Sequence, residues 1–77
     1  MIEPSEIERL IRAAIEVESL QVNDLTGTRD HYQVVVVSPD FNGKLPLMHH
    51  RMINDALSEH LKSGAIHALQ LKTKATQ

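Results

Sequence analysis

The chain has 77 residues, of which 42% are hydrophobic and 23% charged, and its net charge is −2. That size suits one domain that buries roughly 60% of its unfolded surface, and it leaves too little mass for an enclosed catalytic pocket with a second supporting layer. The absence of cysteine excludes disulfides, thiol catalysis and a self-sufficient Cys-ligated iron–sulfur cluster, and Tyr32 and Phe41 are too few aromatics for a base-stacking platform.

In chain order, Ser5-Glu6-Ile7-Glu8 reads as a capping box with Ser5 at the N-cap and Glu8 reaching back. Ile7, Leu10, Ile11, Ala14 and Ile15 follow the i, i+3, i+4, i+7, i+8 rule, which predicts an amphipathic helix over 5–17. Leu20, Val22 and Leu25 suggest a short strand, and Gly27 marks a turn. The run from His31 to Val37 is too apolar for an edge and predicts a central strand hairpinned to the first. Residues 38–43, with Pro39 and Gly43, break the chain. Leu47 to Leu61 predicts one long helix, with Pro46 in its first turn and Gly64 at C′. A last strand is expected over Ile66 to Lys72, with His67, Leu69 and Leu71 on one face and 73–77 frayed.

The order αββ(α)αβ makes the first strand pair antiparallel and the second parallel across a helical crossover. The expected architecture is a single two-layer α+β domain over 1–77, ordered from 5 to 72, with a three-stranded mixed sheet. Its core is expected from Ile7, Leu10, Ile11, Ile15, Val34, Val36, Ile53, Leu57, Leu61 and Leu69. No apolar run is long enough to span a bilayer and the start is no basic signal segment, so the expected address is the cytoplasm.

Parallel pairing has a chemical consequence. His31 opens the second strand and His67 the third, so both fall at one end of the sheet, on strands only ~5 Å apart. Two imidazoles are an incomplete metal set, and on residue types alone a hydrogen-bonded, half-buried strand-end histidine is the better description of His67. Adjacent helical residues point about 100° apart, so His49 and His50 do not chelate one metal comfortably, and His49-His50-Arg51 reads as an ordinary solvated face. Lys44, Arg51 and Lys62 make a sparse basic surface. There is no nucleophile elbow, catalytic carboxylate pair, P-loop or dinucleotide fingerprint, so no enzyme is expected.

Val34 to Gly43, then His50-Arg51, then Ile66-His67-Ala68-Leu69 together resemble the BolA family, especially its short IbaG (YrbA) branch, over nearly the whole chain. The resemblance implies a fold like the class II KH domain and a monothiol glutaredoxin as partner. It also implies a shared [2Fe–2S] cluster, for which the partner supplies a Cys and glutathione a thiolate. His67 matches the family's I-H-A-L histidine, and His31 matches the second ligand from the loop between the first two strands. The isolated chain is then expected as a cluster-free monomer. Two departures stand out: His49 replaces the first arginine of the family's R-H-R, and no proline follows the last strand. The rival implication is a KH-like transcriptional regulator that contacts nucleic acid through Lys44, Arg51 and Lys62, although no G-x-x-G loop occurs.

Overall fold

The computed structural model describes residues 1–77. Helix α1 (Pro4–Ala14) leads into β1 (Ser19–Asp24) and β2 (His31–Ser38). A 3-10 turn (Pro39–Phe41), α2 (Pro46–Ala56), α3 (Ser58–Lys62) and β3 (Ala68–Ala75) follow. The sheet order is β1-β2-β3, antiparallel in the first pair and parallel in the second. This is the mixed three-stranded α+β architecture expected from the pattern. The accessible surface of 4721 Å² equals what size scaling gives for this mass, about 4,700 Å².

The capping box is not formed. Glu3 is the N-cap, no side chain caps it, and Pro4 takes the first helical position, where a missing N–H costs nothing. Ser5 therefore lies inside the helix, and the Glu3 carboxylate pairs with Arg29 instead. The helix ends at Ala14 rather than residue 17, because Ile15 turns extended (φ −139°, ψ 159°) while remaining buried.

Strand β2 alternates fully buried Tyr32, Val34, Val36 and Ser38 with half-buried neighbours, as a central strand with one helix-covered face should. Ser38 Oγ accepts from the Asp40 N–H and donates to the Glu16 carbonyl, seating the 3-10 turn that buries Phe41. Asn42 (φ −60°, ψ 131°) and Gly43 (φ 75°) then form a type II turn closed by Lys44 N–H to the Phe41 carbonyl at 3.1 Å.

The single long helix is in fact two. Leu57 leaves helical geometry (φ −107°, ψ 11°) and divides α2 from α3. The core comprises Ile2, Ile7, Ile11, Ile15, Tyr32, Val34, Val36, Phe41, Ile53, Leu57 and Ile66. Leu10, Leu61 and Leu69 pack only partly against it, since Ile66, Phe41 and Tyr32 take the enclosed positions. Strand β3 begins two residues later than expected and runs to Ala75. The stretch Thr73–Ala75 pairs with Val36–Ser38, and Thr76 is held by the Asn42 carboxamide, so this segment is ordered sheet rather than frayed.

Candidate functional site

The loop from 25 to 30 is shaped by its first acid. Asp24 accepts from the N–H groups of Gly27 (3.0 Å) and Arg29 (3.2 Å), folding the loop back onto its own start. Gly27 (φ 76°) and Arg29 (φ 59°) both take left-handed backbone, an uncommon conformation for arginine. The loop delivers Asp30 and His31 to the N-terminal end of β2.

Register places His31 opposite Ala68, so His67 stands one residue before its pairing position. The Asp30 carbonyl joins the two strand ends by accepting from the N–H groups of His67 (2.7 Å) and Ala68 (3.2 Å). The two imidazoles stack with centroids 6.0 Å apart and planes 23° from parallel. With metal–nitrogen bonds of about 2.0–2.1 Å, two imidazoles on one ion have ring centres roughly 4.5–6.4 Å apart, and the observed separation lies within that range. His67 is exposed, although Leu69 and Leu71, expected on its face, are half-buried. Starting outside the strand frees its ring from the core-facing alternation.

His31 Nδ1 lies 2.7 Å from Asp30 Oδ1, with side chains 41% and 23% exposed. A carboxylate partner on Nδ1 favours the proton there and leaves Nε2 with a free lone pair, the arrangement that metal-binding histidines use. The Asp30 carboxyl is held below its ordinary value, first by the Thr28 hydroxyl and then by His31. Asp30 is thus the residue tying this end of the sheet together that sequence reading missed; its adjacency to His31 was the available signal. Behind the site, burial raises the Tyr32 hydroxyl, which donates to the Ile2 carbonyl at 2.6 Å.

The His49–His50 pair is not a uniform solvated face. His49 is 5% exposed, stacks on Phe41 with centroids 4.4 Å apart, and places Nε2 within 3.1 Å of the Phe41 carbonyl and 2.9 Å of the Lys44 carbonyl. Two carbonyls at one nitrogen require an N–H there, and Nδ1 meets the Thr73 hydroxyl at 3.1 Å. His49 is a structural tie between α2, the type II turn and β3. The bases Lys44, Arg51 and Lys62 are exposed but sit on three separate segments, and the Lys44 ammonium donates to the Asp40 carbonyl at 2.7 Å.

Residues 8–77 match the family model described as BolA-like protein. BolA-like protein 1 of Mus musculus is 46% identical over 48 residues, which cover 62% of this chain but only 34% of that longer relative. The chain therefore corresponds to about a third of it. The DNA-binding transcriptional regulator BolA of Escherichia coli is 40% identical over 74 residues, covering 87% of this chain and 70% of the relative. Among solved structures, BolA1 from Arabidopsis thaliana superposes with a TM-score of 0.87 at 27% identity, covering 97% of this chain and 95% of the other.

Proposed function

The chain belongs to the BolA-like family, and from that premise we propose that it pairs with a monothiol glutaredoxin, each holding part of a shared [2Fe–2S] cluster. The observation that carries this reading is the stacked His31–His67 pair, two imidazoles 6.0 Å apart at one sheet end. The donor chemistry fits. Asp30 occupies His31 Nδ1 and leaves Nε2 for metal, His67 is exposed to an incoming partner, and a chain without cysteine must take its thiolates from the partner and glutathione. A cluster so held supplies one-electron chemistry at a potential that imidazole ligation raises relative to all-thiolate sites. The chain's own contribution is orientation and two neutral donors; it acts as a partner in iron–sulfur handling rather than as an enzyme, a monomer in the cytoplasm until it meets the glutaredoxin.

The test is spectroscopic. The isolated protein stays colourless; mixed with cluster-loaded glutaredoxin and glutathione, it forms a heterodimer whose visible spectrum differs from that of the glutaredoxin homodimer. His67→Ala abolishes the change, and His31→Ala leaves a weaker, more labile species. A double variant with the wild-type spectrum would remove both histidines from the ligand set. A second reading, nucleic-acid binding through Lys44, Arg51 and Lys62, is favoured by the name of the Escherichia coli relative.

A further inference from the structure

We propose that residues 2–3 form a clasp that positions the histidine pair, acting through hydrogen bonds to Arg29 and Tyr32 and, from Arg29, through the adjoining Asp30 that bonds to both imidazole-bearing residues. This deepens the ligand reading above and rests on it.

The buried Tyr32 hydroxyl donates to the Ile2 carbonyl at 2.6 Å, and the Ile2 N–H donates to the Arg29 carbonyl at 3.1 Å. The Ile2 side chain is itself 6% exposed, so this segment is part of the core. One residue on, the Glu3 carboxylate accepts from the Arg29 guanidinium at 2.5 Å. Arg29 is therefore held at both backbone and side chain, and it is the one non-glycine residue with left-handed backbone. A residue in that region persists only where its surroundings over-determine it, and the clasp supplies that restraint together with the Asp24 carboxylate, which accepts from the Arg29 N–H at 3.2 Å.

Arg29 hands its position to Asp30. The Asp30 carbonyl receives the N–H groups of His67 and Ala68, and its carboxylate faces His31 Nδ1. One residue thereby sets both the spacing of the strand ends and the ring orientation of His31. Without the clasp, Arg29 keeps only the Asp24 contact on its N–H and relaxes out of the left-handed region. Asp30 turns with it, and both imidazoles lose their common reference. Tyr32 and Glu3 are thus positioning residues, neither of which touches the metal.

The experiment compares wild type with the Tyr32→Phe/Glu3→Gln double variant, and with Ser38→Ala, which loses a buried hydroxyl bond at the opposite end of the sheet. In the isolated chain at mildly alkaline pH, nitrogen-15 imidazole spectra of wild type show His31 protonated on Nδ1, with cross-relaxation to the His67 ring. The double variant, folded by circular dichroism, shows mixed tautomers and loses that contact, while Ser38→Ala retains both. In the mixed complex, cluster loss to a chelator quickens about tenfold in the double variant, the lower range for outer-shell partners. Glu3→Asp with Tyr32 intact restores the wild-type rate. Unchanged imidazole signals in a folded double variant overturn the proposal, as does equal labilisation by Ser38→Ala. A wild type that forms no mixed cluster removes the ligand reading, and the imidazole comparison still decides the clasp.

Discussion

Two neighbouring histidines show how one residue's role depends on where its helix packs. His49 is enclosed by Phe41, the Phe41 and Lys44 carbonyls and Thr73, whereas His50 is only half-buried. The residue pattern did suggest that adjacent histidines diverge, but which one enters the fold depends on the type II turn, whose carbonyls converge on α2. His49→Ala leaves a cavity and removes the N–H that the Phe41 and Lys44 carbonyls share. We expect a loss of about 2–5 kcal/mol in urea denaturation, the range for emptying a large buried site with unmet polar partners. Asp30 is the converse case, a surface acid whose work is electrostatic. Its folded carboxyl titrates below the ordinary 3.8, so the stabilisation it contributes is full above 3.8 and disappears as pH falls through the lower folded value. Asp30→Asn should flatten the stability curve in that acid range and leave its shape near neutrality unchanged. The same substitution should blur the His31 tautomer. The His31–His67 meeting was legible in the sequence, because a parallel crossover brings two strand starts together. Asp30's part was not, since nothing local says that its carbonyl would bridge the strands.

The boundaries of the elements moved more than the elements themselves. Hydrophobic periodicity runs unbroken through Leu57, so the pattern reads as one helix from Leu47 to Leu61, yet the backbone bends there. Leu57 is fully buried at the joint of α2 and α3, where it holds both helices to the core. Leu57→Ala should cost about 2–5 kcal/mol, a large share of the stability of so small a domain. A loss below about 1 kcal/mol in chemical denaturation would show that the joint does not anchor the helices. Strand β3 moved in the other direction. The polar Thr73-Lys74-Ala75 has no apolar alternation to announce a strand, but parallel pairing along Val36–Ser38 and the Asn42 latch at Thr76 order it. Long-range hydrogen bonds of this kind are invisible to local propensity.

On the scale of the whole molecule, helices cover one sheet face, and the other carries half-buried Val35 and Val37 on its central strand with polar residues on the flanking strands. Gln21, Asn23, Gln70, Lys72 and Lys74 lie there exposed. The basic residues are thereby dispersed: Lys72 and Lys74 on the open face, Lys44, Arg51 and Lys62 around the helical side. With at most three of the proposed bases on phosphate, log K should fall with log salt no more steeply than about −3, and binding to duplex DNA should be weak at neutral pH. Fluorescence anisotropy over a salt series measures this. A nanomolar, site-specific complex at physiological salt would promote the nucleic-acid reading over the cluster reading.

The sequence by itself determined the element order, the sheet topology and the central place of β2. It also placed His31 and His67 at one end of the sheet, because all of these follow from periodicity, turn chemistry and the parallel crossover. Tertiary structure decided what depends on contacts between distant segments. Ile2, Tyr32, Phe41 and Ile66 gained their core positions that way, as His49 did its burial and β3 its last residues. Asp30 and the Ile2–Glu3 segment owe their places beneath the histidines to the same cause. Local pattern reports which face of an element is apolar; only packing assigns the partner that each face and each polar group meets.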